Sequence, residues 1–133
     1  MALGEYKDAL SQVEEAIQTD PSVDNLWLKA DVLYRDREYE KALKLYQQCQ
    51  RHVADNENIY EDLGNCYREL GKSEKAKECF EKVLEINPDH RRANSRLADY
   101  YSDLYDDTEE QQYFEKALPY SSRQLELTPT AYY

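Results

Sequence analysis

Glycine and proline are scarce in this chain, 3 and 4 among 133 residues, and so are the features that usually signal chemistry. Gly4, Gly64 and Gly71 are too few and too scattered to build a phosphate-cradling loop or a nucleophile elbow, and each has a turn or packing explanation. No apolar stretch runs more than a few residues before Asp, Glu or Lys interrupts it, so neither a membrane span nor a signal peptide is expected. Cys49, Cys66 and Cys79 form no C-x-x-C pair of the zinc or redox kind and lack the dense spacing of a secreted disulfide scaffold. A reducing compartment, the cytoplasm, is the expected location. Basic residues are also in deficit: 17 Lys plus Arg against 28 Asp plus Glu leave a net charge of −11, and no basic run exceeds His90-Arg91-Arg92. DNA and anionic lipid surfaces are polyanions and would exert no long-range attraction on such a chain, so neither a nucleic-acid nor a membrane partner is expected.

What the chain does have is tyrosine, 13 residues, in a sequence whose mean hydropathy is only −0.99. Disordered segments are poor in aromatics, which argues against disorder. An elongated helical array fits better, because thin units keep half their surface wet and Tyr can bury its ring while its hydroxyl meets water. Internal repetition supports this. A shift of 34 residues pairs Ala42 with Ala76, Tyr46 with Phe80, Leu63 with Leu97, Gly64 with Ala98 and Tyr67 with Tyr101. A shift of 33 pairs Ala9 with Ala42, Trp27 with Tyr60 and Tyr34 with Tyr67, and one of 41 pairs Ala76 with Ala117 and Pro88 with Pro129.

Each unit reads as two helices. Tyr60, Leu63, Gly64 and Tyr67 recur at the spacing of one helical stripe, and beyond Gly71 a second stripe follows in Ala76, Phe80, Val83 and Leu84. A short turn makes the two helices antiparallel neighbours. Gly64, Ala98 and Ala76 remove bulk where helix axes approach, and Asn87-Pro88 ends the second helix. The string Tyr60-x2-Leu63-Gly64-x2-Tyr67, Ala76-x3-Phe80, Pro88 resembles the tetratricopeptide repeat, with Tyr60 in the leading Trp slot that Trp27 fills one unit earlier. The resemblance implies an all-α fold, a right-handed superhelical solenoid of antiparallel helix pairs forming a single array over 1–133. Its expected parts are a lone second helix at 5–18, pairs at 24–52, 57–86 and 91–127, and a stump of a further repeat at 129–133.

Departures from the pattern carry their own expectations. Asp31 stands in the slot of Gly64 and Ala98, so either Ala30 takes over the close contact or the first pair packs less tightly. One residue fewer separates Tyr34 from Tyr39 than the repeat pattern allows, which predicts a shortened turn. Seven extra residues precede Phe114; Thr108 with Gln111 three later suggests a capping box that restarts the helix. Pro119 inside the last helix predicts a kink, and Ser121 in an aromatic slot makes that end the least well packed.

Catalytic apparatus is absent from this pattern. His52 and His90 have no partners at ligand spacing and read as surface residues. The cysteines sit near small-residue core positions and read as buried packing. No metal, no cofactor and no enzymatic activity are expected. Function instead falls to the surface. The resemblance implies that the first helices form a concave wall that holds a peptide or partner segment, presenting Asn25, Leu28, Val32 and Arg35, then Asn58, Glu61, Asn65 and Arg68, then Arg92, Ser95, Arg96, Asp99 and Ser102. The two-carboxylate clamp found in relatives that bind chaperone C-termini is not expected. Arg92 and Arg96 suit its basic slots, but Leu28, Val32 and Asp62 occupy three others. The acidity favours a basic or mixed partner. A second expectation is structural self-assembly, as a dimer or larger, because the chain opens inside one repeat and stops as another starts.

Overall fold

A computed structural model describes residues 7–12, 22–53 and 55–127. Among them all regular structure is helical: α1 (described over 7–12), α2 (Val23–Arg35), α3 (Tyr39–Gln50), α4 (Glu57–Glu69), α5 (Ser73–Ile86), α6 (Arg91–Thr108) and α7 (Gln111–Leu127). The remainder of the helix expected at 5–18 and the stump at 129–133 lie outside the described residues. Among the described residues, extensive contacts join consecutive helices only, α2 with α3 and so on to α7, the arrangement of a solenoid rather than of a bundle around one shared interior.

The first helix of each pair starts on a side-chain cap. Ser22 accepts from the Asn25 amide at 3.4 Å, Asn56 from the Asn58 amide at 2.8 Å, and His90 Nδ1 from the Ala93 amide at 3.1 Å. These bonds satisfy amides that the helix itself leaves open. The turns within the first two pairs share one geometry. The amides of Asp36, Arg37 and Glu38 bond back to the carbonyls of Val32, Tyr34 and Leu33, as those of Leu70, Gly71 and Lys72 do to Cys66, Arg68 and Tyr67. Both turns therefore have three residues, and the expected shortening does not occur there. The missing residue comes out of the end of α2, since Tyr34 is three positions from the left-handed Arg37 whereas Tyr67 is four from the left-handed Gly71.

The core lies in two clusters. One gathers Ala30 and Leu33 of α2, Ala42, Tyr46 and Cys49 of α3, and Ile59, Leu63 and Cys66 of α4. The other gathers Ala76, Phe80 and Val83 of α5 with Ala93 and Leu97 of α6; Tyr60 and Tyr67 pack against both clusters and join them. At the α4–α5 crossing a Cβ on Gly64 would stand 2.9 Å from two atoms of the Phe80 ring, so the small residue is what lets the aromatic in. In the first pair Ala30 is fully buried and Asp31 instead accepts a 2.6 Å hydrogen bond from the hydroxyl of Tyr46, the counterpart of Phe80. A polar contact thus replaces a steric one. The leading aromatic slot of the third pair holds Asn94, whose buried amide donates to the carbonyls of Pro88 and His90 at 3.1 and 2.9 Å. It ties the inter-repeat turn to α6 in place of an indole.

The seven extra residues carry α6 on to Thr108 before a short break. Thr108 is the last residue of that helix, donates to the Leu104 carbonyl at 2.7 Å and accepts from the Glu110 amide at 3.3 Å. It closes one helix instead of capping the next, and left-handed Glu109 makes the break. Pro119, expected to kink the last helix, lies on its exposed side, and α7 continues through it. The last pair meets along its length, but little of α7 is buried. Ala117 is buried, Tyr120 stacks on Tyr101 at 5.9 Å, and Phe114, Leu118 and Leu125 stay exposed.

Candidate binding groove

Side chains from α2, α4 and α6, the first helices of three successive pairs, converge on one recess of about 500 Å³. Of the residues singled out in the sequence, Arg35, Asn58, Glu61, Asn65 and Arg92 line it. Arg68, Arg96 and Asp99 line a second, smaller pocket of about 90 Å³ against α5. Asn25, Leu28, Val32, Ser95 and Ser102 line neither; Val32 is buried, Leu28 and Ser102 are exposed, and the other two are half-buried.

Sequence reasoning missed Trp27, Asp31, Tyr34 and Tyr46, which also line the larger recess, and read Asp62 only as a departure from the carboxylate clamp. The indole N–H of Trp27 donates to Asp62 at 2.7 Å, linking α2 to α4. Trp27 and Tyr34 sit in repeat slots that packing alone accounts for, which hid their second role. The available signal was Asp31, an ionisable residue in a slot otherwise held by glycine or alanine.

Electrostatically the three carboxylates differ. Burial pushes the Asp62 carboxyl up to about 7, the Trp27 N–H opposes the rise, and the nearby charges of Asp31 and Glu61 add to it. Burial, with the hydrogen bond to Asp31 next, keeps the Tyr46 hydroxyl protonated. Glu61 is buried but fully engaged. Arg92 donates to it at 3.0 Å, and His90 Nε2 lies 3.1 Å from its other oxygen. Because His90 Nδ1 accepts the Ala93 amide, the ring proton of the neutral imidazole sits on Nε2 and points at Glu61. His90 is therefore a helix cap and an α4–α6 strut, not the surface residue that the sequence suggested. His52 is exposed at the end of α3. Cys49 and Cys66 are buried and Cys79 half-buried, and burial pushes all three thiols up, to about 11, 12 and 11. Among the described residues no group of three or more His, Cys, Asp or Glu side chains is placed to hold a metal ion, and no helix is long and apolar enough to cross a membrane.

Models of the tetratricopeptide repeat match residues 1–56 and, separately, residues 58–90. The chain belongs to the tetratricopeptide repeat family. Among curated relatives, the RNA polymerase-associated protein CTR9 of Caenorhabditis elegans is 29% identical over 106 residues, 76% of this chain and 9% of that protein. The TPR repeat-containing protein MJ0798 of Methanocaldococcus jannaschii is 37% identical over 65 residues, 49% of this chain and 20% of that protein. The chain thus spans a small part of either relative's length. Solved structures share the fold. MamA of Desulfovibrio magneticus superposes with a TM-score of 0.77 at 19% identity, covering 94% of this chain and 67% of its own. A second MamA structure gives 0.72 at 23% identity, covering 93% and 73%. Repeat arrays of this family serve as protein-interaction scaffolds, and that general role extends to this chain.

Proposed function

We propose that this tetratricopeptide array is a non-catalytic scaffold that holds an extended or helical segment of a partner protein along the wall built by α2, α4 and α6. The observation that carries this reading is the recess of about 500 Å³ on which all three first helices converge. Its walls mix carboxylates, arginines, asparagines and aromatics, the combination that fixes a peptide by side-chain hydrogen bonds while the rigid helix pairs keep the surface preorganised. A reducing compartment suits the chain, because its three thiols are free and held in their protonated form.

An array of random twelve-residue peptides probed with the purified chain tests the reading. Selected peptides should bind at least tenfold more weakly to the Asn58→Ala and Asn65→Ala variants, with helicity by circular dichroism unchanged. Affinity equal to the parent in both variants removes the groove from the interaction.

A second reading, self-association through the last helix, is favoured by one observation. Phe114, Leu118 and Leu125 lie on one stripe of α7 and are 43%, 47% and 75% exposed, an apolar face of the kind that marks an interaction surface.

A further inference from the structure

We infer that the recess between α2 and α4 receives a cationic side chain of the bound segment, a lysine ammonium or an arginine guanidinium, lodged beside Trp27 and Tyr34 and held by Asp31 and Asp62. This rests on the groove reading above and adds the chemistry that the ligand must carry.

The carboxylates of the recess differ in what they already hold. Glu61 has both oxygens occupied by Arg92 and His90. Among the described residues, Asp31 and Asp62 each accept from one neutral donor, the Tyr46 hydroxyl and the Trp27 indole. One oxygen of each, Oδ2 of Asp31 and Oδ1 of Asp62, thus keeps its acceptor capacity, whereas both oxygens of Glu61 are engaged. Among the described residues no lysine or arginine lies within ion-pair distance of either. Two carboxylates close enough for the charge of Asp31 to raise Asp62, partly withdrawn from water and without a basic partner among the described residues, favour an incoming cation, which draws Asp62 into its charged form. The lining selects in the same direction, since the faces of aromatic rings attract cations, and Trp27 and Tyr34 line the recess with the two carboxylates. The arginines that share the recess do not fill this role. Arg92 is committed to Glu61, and Arg35 is exposed at the end of α2. At −11 overall, the chain also draws a basic segment toward the site over distance.

The single tryptophan makes the site its own reporter. In a proton–nitrogen correlation spectrum, the indole resonance of Trp27 is followed while Ac-Gly-Arg-Gly-NH2, its lysine counterpart or its uncharged citrulline counterpart is added. The two cationic peptides should shift the resonance to saturation, and citrulline should bind at least tenfold more weakly. Asp31→Asn and Asp62→Asn retain an acceptor for Tyr46 and Trp27, so the fold is kept. The double variant should lose at least tenfold in affinity for the cationic peptides. Equal affinity for arginine and citrulline, or an unchanged affinity in the double variant, overturns the inference. An array-selected peptide that needs Asn58 and Asn65 but binds equally with its basic residues replaced overturns the cation site alone and leaves the groove standing. Peptides indifferent to all four positions overturn both.

Discussion

Asp62 is where one side chain sets a property of the whole chain. Its carboxyl holds a proton up to about 7 in the folded state, against a reference of 3.8. The folded chain therefore binds the proton more tightly than the unfolded chain does. The stabilisation linked to that proton is complete below the unfolded value and is lost as pH rises through about 7. Asp62→Asn keeps an acceptor for the Trp27 indole and removes the titration. The variant should match the parent near pH 4 and exceed it at pH 8 by about 1–2 kcal/mol, less than the full shift would give because water reaches the recess. Thermal melts at the two pH values measure the difference, and parallel curves for parent and variant would refute the assignment. At this scale the sequence revealed residue types but not their partners. The place of Asp31 in a small-residue slot was evident, whereas its bond to Tyr46 was not. His90 looked like a surface residue because its partner Glu61 lies 29 positions away and is brought close only by stacking.

Among the elements, the two three-residue turns pose a matched comparison. Both need a left-handed residue, φ 64° at Arg37 and φ 76° at Gly71, and a Cβ at Gly71 would meet nothing within 4 Å. The difference between them is therefore conformational and not steric. Arg37→Gly should raise stability by about 0.5–1 kcal/mol and Gly71→Ala should lower it by about 1 kcal/mol, since a left-handed backbone is costly for residues with a Cβ. Urea titrations of both variants check this, and a loss of stability in Arg37→Gly would mean that the arginine side chain outweighs the backbone relief. Helix type and stripe were legible here because periodicity is local information. Turn length and the end of α6 were not. Sequence spacing counts residues but cannot say whether a missing or extra one is absorbed by the loop or by the neighbouring helix, as it is at the ends of α2 and α6.

For the whole molecule, the question is what the open face of α7 meets. If it pairs with a second copy, sedimentation should show association that rises with concentration and with salt. Screening to a Debye length of about 8 Å at physiological ionic strength weakens the repulsion between two chains of charge −11. Leu118→Lys combined with Leu125→Lys should abolish the association and leave helicity intact. A single monomer at every concentration and salt level excludes the assembly reading while leaving the groove untouched.

By itself the sequence determined that the chain is an array of helix pairs. The stripe residues and the small residues opposite the aromatics repeat every thirty-odd positions, and each unit needs only its neighbour to bury that stripe. Tertiary structure alone decided what the wall offers a partner. Whether a carboxylate is spent on an internal bond, as in Glu61, or keeps open acceptor positions, as in Asp31 and Asp62, depends on groups from other helices that come within about 3 Å only when the pairs are stacked. Helical periodicity places a residue on a face, but it carries no information about what stands across from it.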